Sequence, residues 1–408
     1  MRLSTDFLVI GSGIVGLAIS RALLENFPRS KIIVIDKESS YGVHASGRNS
    51  GVLHAGFYYH PDSLKARFTR EGNQELRSYC EERGLRISKC GKVVVASSEE
   101  ELETLYELKR RGDINGVELY LIDEQELRKI EPVAKTYKQA IWSPNTAVVD
   151  PFEILKSLVE DLKNAGVNFY YNTPYRARLK KNIVLAGGYE IEYGMLINCA
   201  GLYADKIAKD FGFSQNYVLV PFKGLYLEYT GNIPFITRNI YPVPNIRNPF
   251  LGVHFTVKVD NTIKIGPTAT PCLWRENYDG FRGFNLGEFL EIATWISKLF
   301  VKNSLFRSTA FQEVKKYLKS SLLNDASKLI QGIELKPEEW SWAKPGIRAQ
   351  LVDTKKLQLV QDFVIEGDKE SVHILNAVSP AFTASLPFAR YVVKNYINGG
   401  FHGQIQEN

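Results

Sequence analysis

Residues 7–36 read Phe7-Leu-Val-Ile-Gly11-Ser-Gly13-Ile-Val-Gly16-Leu-Ala-Ile-Ser-Arg-Ala-Leu-Leu-Glu-Asn-Phe27-Pro-Arg-Ser-Lys31-Ile-Ile-Val-Ile-Asp36, and this stretch decides the fold. Phe7 to Ile10 form a short apolar strand, while Leu17, Ile19, Leu23, Leu24 and Phe27 recur at helical spacing. A second apolar strand, Ile32 to Ile35, ends on the acid Asp36. Strand, glycine turn, helix, strand and acid make up the dinucleotide-binding unit. Gly11 makes the tight turn, Gly13 lets a pyrophosphate approach the backbone, and Gly16 lets helix pack on strand. The helix start at Ile14 and Val15 offers N–H groups and a positive dipole end to the phosphates. Asp36 is placed to accept hydrogen bonds from a ribose. The glycine signature occurs once, which leaves no second site for a pyridine nucleotide beside a flavin.

Working outward, the chain has 408 residues, 44% hydrophobic and 24% charged, which suits a globular protein of two or three units. The net charge of +6 is small and dispersed, which excludes a nucleic-acid stripe and suits anionic small molecules or an anionic membrane surface. Cys80, Cys90, Cys199 and Cys272 show no CxxC pair and no metal-ligand spacing, as expected of core thiols in a reducing compartment, and no metal is expected. No apolar run reaches the roughly 18 residues of a membrane span. The chain enters a strand at once, with no signal peptide in front of it. The expected location is cytoplasmic, with peripheral contact at the inner face of the membrane left open.

After Asp36 the run from Lys37 to Gly56 is rich in small residues, a poor helix or strand interior that lets backbone lie against a flat ligand. The segment SGRNSGVLHAGFYYHPDSLKARFTREGN (46–73) resembles the second signature of the D-amino-acid-oxidase-type FAD flavoproteins, most of all the L-2-hydroxyglutarate dehydrogenase/oxidase family. The likeness continues through CGKVVVA (90–96), NCAGLYAD (198–205), PFKGLY (221–226), IYPVPN (240–245), PFLGVHFT (249–256), IGPTA (265–269), PGIRAQ (345–350) and NAVSPAFTAS (376–385). It implies FAD as cofactor. Beside the glycine turn, Asp36 and Lys37, the resemblance places Ser46, Gly47, Asn49, Ser50 and Gly51 against the flavin nucleotide. It adds Ala200, Gly201 and Gly346, and finally Ser379, Pro380, Phe382 and Thr383, where a helix start would stabilise negative charge on the reduced ring.

The fold expected is α/β, a Rossmann-type FAD-binding domain that is discontinuous, with an inserted antiparallel-sheet substrate domain. Residues 1–82, 146–218 and 344–408 read as the FAD-binding domain. Residues 83–145 and 219–343, with alternating strands LYLEY, GVHFTVKV and TIKIGP, read as the substrate-binding domain. Residues 286–330 interleave basic residues with Phe289, Trp295, Phe300, Phe306 and Phe311. They read as a helical pair covering the sheet, or as a face lying in a membrane interface.

The cofactor carries the redox step, so the chain must hold a substrate anion and take a proton. Of six histidines, His54 and His254 sit inside the matched motifs and are the candidate bases, and the resemblance makes His54 also a candidate for a covalent flavin link. His44, His60, His373 and His402 are assigned no role. Arg348, in PGIRAQ, is the first candidate for a substrate carboxylate, because the resemblance implies a carboxylate-binding arginine in this kind of motif and arginine gives the bidentate geometry. Arg48, Lys223, Lys258 and Arg275 are further candidate cations, and Tyr226 and Tyr241 candidate hydrogen-bonding groups. The family usually has Arg-Gly-Glu where this chain has Lys223-Gly224-Leu225, an arginine at Val257 and an asparagine at Thr268. The expected reaction is oxidation of a small dianion's secondary alcohol by hydride transfer to FAD. Electrons then pass to quinone or another acceptor, with a membrane surface or membrane-anchor protein as a further partner. L-2-Hydroxyglutarate leads. The alternatives are sn-glycerol 3-phosphate, which would tolerate the missing acid, then amino-acid or secondary-amine oxidation, and a non-catalytic FAD-binding subunit.

Overall fold

The strand Arg2–Ile10, the helix Ile14–Asn26 and the strand Ile32–Ile35 follow the apolar pattern of the opening stretch. The structure, a computed structural model, describes residues 1–231, 233–245 and 252–398. His402 and residues 249–251 of the PFLGVHFT match lie outside the described residues. The chain divides into two compact units. One comprises Met1–Gly47, Pro151–Pro221 and the chain from Arg348 onward; the other comprises Arg48–Asp150 and Phe222–Ile347.

The first unit is built on an eight-stranded sheet. Arg2–Ile10 is central, parallel to Ile32–Ile35 on one side (Phe7 opposite Ile32) and to Tyr189–Asn198 on the other (Ile10 opposite Asn198). Asn168–Tyr170 extends the parallel set beyond Ile32–Ile35, and Ser371–Ile374 extends it beyond Tyr189–Asn198. Leu8, Val9 and Ile32–Ile35 are buried, as a parallel sheet covered on both faces requires. The helix Ile14–Asn26 packs against Ala381–Val392 and Pro151–Asn164. His373, given no role from sequence, is buried here, with Nδ1 3.1 Å from Asn198 Nδ2 and Nε2 3.0 Å from Ser371 Oγ.

The second unit holds a mostly antiparallel eight-stranded sheet assembled from two distant stretches of chain. They join at one parallel pair, Lys92–Val95 with Asn239–Pro242. Outward from Asn239–Pro242 run His254–Val257, Ile263–Gly266, Leu227–Tyr229 and Trp340–Trp342. The pleat divides the sheet's side chains. Val93, Val95, Phe255 and Val257 enter one apolar cluster with Leu322, Leu323 and Ala326. Val94 and Tyr241 enter another with Ala55, Phe57 and Tyr58.

Two features differ from the sequence-based division. Residues 48–82 and 146–150, grouped above with the nucleotide block, belong to the second unit. Pairing explains it: Val52 lies opposite Val148, and Asn73 Nδ2 donates to the carbonyls of Leu53 (2.9 Å) and Asn145 (3.2 Å). Residues 286–330 form three helices, not a pair: Leu286–Lys302, Ser304–Val314 and Lys319–Ser327. The third covers the sheet through Leu322, Leu323 and Ala326, whereas the first two leave Leu286, Leu290, Val301, Phe311 and Val314 exposed.

Candidate active site

In the first unit the glycine turn has the geometry a phosphate site needs. Gly11 has φ +103°, and a Cβ there would lie 2.5 Å from the Cys199 carbonyl oxygen. A Cβ on Gly16 would meet the Gly11 carbonyl at 2.0 Å, so helix and turn are in direct backbone contact. Gly13 caps the helix, and Val15 follows Ile14 in its first turn. The Ile14 N–H donates to Ser46 Oγ at 2.9 Å, which brings two sequence candidates together at the helix start. Asp36 Oδ2 accepts from the Ser12 amide (2.8 Å) and hydroxyl (2.6 Å), and Oδ1 accepts from the Glu38 amide at 3.0 Å. A carboxylate accepts about four hydrogen bonds, so Asp36 keeps capacity for a ribose hydroxyl.

Lys37 Nζ pairs with Glu38, whose carboxylate also lies 2.9 Å from His44 Nε2. Burial raises the Glu38 pKa, but the bonds from Lys37 and His44 outweigh it and hold the carboxyl below its usual value. Gly47 lies under the Phe152 ring. Ala200 and Gly201 follow the strand Tyr189–Asn198, with the Ala200 amide on Asn198 Oδ1 at 3.2 Å. Pro380 precedes the helix Ala381–Val392, which places Ser379, Phe382 and Thr383 around its start. Arg348 lies on the strand Gly346–Asp353.

The second unit takes up the chain at Arg48, whose guanidinium lies 4.3 Å from the Tyr278 ring centroid and 3.4 Å from the Pro345 carbonyl. Gly346 packs against the Arg48 carbonyl. Asn49 Oδ1 accepts from the Gly51 amide at 2.8 Å, a side-chain turn that includes Ser50. Val149 N–H donates to the Gly51 carbonyl at 2.9 Å and anchors this turn to the sheet.

Both candidate histidines lie in this unit, 8% (His54) and 4% (His254) exposed. His254 Nδ1 is 2.8 Å from the Gly252 carbonyl, which can only accept. Nδ1 therefore carries the proton, and Nε2 is the basic nitrogen. The ring stacks on Tyr241 at 3.7 Å and 18°. Burial pulls His54 well below the usual histidine pKa, and the charges of Lys92 and His254 pull it further, so it is neutral at pH 7.

Lys92, which the motif reading passed over, is fully buried among the rings of Phe57 (4.6 Å), Tyr58 (4.4 Å) and Tyr241 (4.8 Å). Its Nζ has no hydrogen-bond partner among the described residues. Desolvation brings its pKa down to about 7. The ring segment is itself fixed: Arg111 donates to the Tyr58 carbonyl at 3.1 Å, and Asn115 Nδ2 to those of Gly56 and Tyr59 at 3.2 Å. The one signal in the sequence was a lysine heading an otherwise continuous apolar strand.

The remaining cations differ from these. Arg275 is wholly buried, 3.6 Å from Glu291, with its amide on Glu288 Oε2. Lys258 bonds Glu228 (3.3 Å) and Asp260 (3.0 Å). A substrate would have to displace these acids, so neither residue is grouped with the histidines. Lys223 is buried opposite Thr270. Tyr226, also buried, lies 5.5 Å below Lys264 Nζ.

The departures have local causes. The Thr268 hydroxyl donates to the Lys223 carbonyl and accepts from the Leu225 amide, both at 3.0 Å, stapling that turn. Val257 belongs to the apolar cluster on the sheet face opposite His254.

Comparison with known proteins shows the family. The family model "FAD dependent oxidoreductase" matches residues 6–395, and the chain belongs to that family. It is 33% identical over 405 residues to the L-2-hydroxyglutarate dehydrogenase of Escherichia coli K12, covering 95% of this chain and 92% of that protein. It is 36% identical over 407 residues to the mitochondrial L-2-hydroxyglutarate dehydrogenase of Bos taurus, covering 94% and 86%. Among solved structures, the dithionite-reduced, FAD-bound L-α-glycerophosphate oxidase of Mycoplasma pneumoniae has the same fold, with a TM-score of 0.71, 20% identity, and coverage of 96% and 94%. The chain is thus an enzyme of the FAD oxidoreductase class, with FAD as cofactor and with a small substrate and an electron acceptor as partners.

Proposed function

We propose that this protein oxidises the secondary alcohol of L-2-hydroxyglutarate to the ketone 2-oxoglutarate. Likeness to L-2-hydroxyglutarate dehydrogenases along 94–95% of the chain carries the reading. The unit containing the glycine turn is assigned to FAD, and the unit containing the histidines to the substrate. The residues fit the cofactor: a Cβ on Gly11 or Gly13 would fill the turn, the Ile14–Asn26 helix starts there, and Asp36 keeps hydrogen-bonding capacity. Gly11, Gly13, Ile14, Ser46 and Asp36 would hold the phosphates and ribose, and the Ser379–Thr383 helix start the ring. When bound, FAD supplies the acceptor for the hydride leaving the substrate carbon.

The chain's own part is binding and proton transfer. Arg348 is assigned to a substrate carboxylate. His254 Nε2 is assigned as the base that takes the alcohol proton, because the Gly252 carbonyl holds its tautomer. His54, neutral and buried, is the second imidazole beside it.

The acceptor proposed is quinone, reached from a peripheral position at the inner face of the membrane. Among the described residues no helix is long and apolar enough to cross a membrane. The helices Leu286–Lys302 and Ser304–Val314 expose Leu286, Leu290, Val301, Phe311 and Val314 among Lys298, Lys302 and Arg307, a composition suited to an anionic interface.

Anaerobic mixing tests the activity. L-2-Hydroxyglutarate at micromolar to millimolar concentration should bleach the oxidised flavin band, and the D-enantiomer should not. Bleaching by sn-glycerol 3-phosphate or an amino acid instead would overturn the substrate, and bleaching by none of them the assignment as a catalyst of this class.

A further inference from the structure

Lys92 has no place in the proton-transfer scheme, yet it is the group whose burial is least explained by packing. It heads the strand Lys92–Val95, where it pairs with Asn239 on one side and Ser143 on the other. The pleat puts it on the face that carries Val94, Tyr241, Phe57 and Tyr58. Tyr241 in turn stacks on His254.

Three aromatic faces at 4.4–4.8 Å return part of the desolvation cost of an ammonium, but they accept none of its three N–H bonds. The groups facing Lys92 are His54 from within the small-residue run, Tyr58 from just after it, and Tyr241 from the adjoining strand, with His254 of the next strand stacked on Tyr241. None is an acid. The Tyr58 hydroxyl is also buried without a hydrogen-bond partner among the described residues. A methionine would fill the same volume without the penalty. A cation enclosed by three aromatic rings, with no carboxylate partner among the described residues, is suited to a negative charge that arrives from outside.

We propose that Lys92 is the buried counter-charge for the substrate dianion, a specificity-determining residue on the same sheet face as the candidate base His254. The inference rests on the dehydrogenase reading above. It goes beyond that reading by assigning recognition of charge to a residue outside the arginine motif. In a poorly screened interior, one unit charge several ångströms from a carboxylate accounts for a substantial share of binding. Lys92 loses its proton around pH 7 when nothing anionic is bound. Raising the pH therefore discharges it and weakens binding, while a bound dianion holds the proton on.

The test compares wild type, Lys92→Met and Lys92→Arg in steady-state turnover of L-2-hydroxyglutarate between pH 6 and 9. Glutarate, which cannot be oxidised this way, is titrated against each holoenzyme by flavin absorbance. Wild-type KM and glutarate Kd should rise by up to about tenfold per pH unit above the Lys92 pKa. In Lys92→Met both should be raised on the order of 10- to 100-fold and be independent of pH, with kcat changed less than about threefold. Lys92→Arg stays charged throughout, so its KM and Kd should be flat across the range, without the alkaline rise.

A wild-type Kd flat from pH 6 to 9, together with a Lys92→Met Kd within about threefold of wild type, overturns the proposal. If Lys92→Met does not fold, Lys92→Arg decides alone: an alkaline rise that persists in it overturns the proposal. A wild type that binds glutarate through Lys92 but is not reduced by L-2-hydroxyglutarate would sink the substrate reading and leave the counter-charge standing.

Discussion

Because the Gly252 carbonyl accepts a hydrogen bond from Nδ1–H of His254 at 2.8 Å, the ring's tautomer is set before any substrate arrives. Stacking on Tyr241 fixes its plane. His254→Asn keeps a polar side chain of similar girth but removes the base, so kcat should fall by about 10²–10⁴-fold with flavin content unchanged. Stopped-flow reduction of the flavin band checks this, and a loss under threefold would move the base to His54. At this scale the glycine turn was legible, because a φ of +103° constrains residue type locally. Lys92 was not. In Lys-Val-Val-Val a lysine reads as the solvated end of a strand. Only pairing with Asn239, far along the chain, closes Phe57, Tyr58 and Tyr241 around it.

Helices differ in how much of their packing their own residues announce. Ile14–Asn26 carries an apolar face that fits a covered parallel sheet, and it was legible within a few residues. The segment 286–330 was not: its apolar residues support either a covering helix or an interfacial one. The structure separates the two, with Lys319–Ser327 on the sheet and Leu286–Val314 showing apolar side chains to solvent. The compact units divide at Arg48, not at residue 82, for a similar reason. Val52 finds its partner Val148 only by long-range pairing, which no local spacing records.

The interfacial reading makes an element-level prediction. Replacing Leu286, Leu290 and Phe311, which are 57–62% exposed, by serine should release the enzyme from phosphatidylglycerol-containing vesicles in co-sedimentation. Turnover with a soluble dye acceptor should be retained. Equal sedimentation of variant and wild type, or no binding by wild type, removes the membrane from the scheme.

The buried titratable groups give the molecule as a whole a stability profile tilted to alkaline pH. His373, wholly buried, is brought down to about 3 by desolvation, and His54 well below its usual value. Below about pH 6.5 the unfolded chain therefore binds protons that the folded chain refuses, and stability falls as the pH drops. Lys92 acts with the same sign in a higher window. Between about 7, its folded value, and roughly 10.4, its unfolded one, the unfolded chain binds the extra proton, so stability climbs with pH. Above about 8.5 the net sign reverses, since burial holds the thiols of Cys90, Cys199 and Cys272 neutral in the fold while the unfolded thiols ionise, and above about 10 buried Tyr58 and Tyr241 add to this.

The urea midpoint of the wild type should accordingly rise from pH 5 to about 8, the alkaline end of the usual range. Lys92 contributes at most about 1.4 kcal/mol per pH unit on its limb. Lys92→Met removes that limb. It should be more stable than wild type at pH 7, because an apolar side chain of similar volume replaces an uncompensated charge. The gap should close toward pH 10. A variant that gains stability while losing grip on a dianion is the signature of a charge retained for binding. A Lys92→Met protein less stable than wild type at pH 7 would make the lysine part of the scaffold instead.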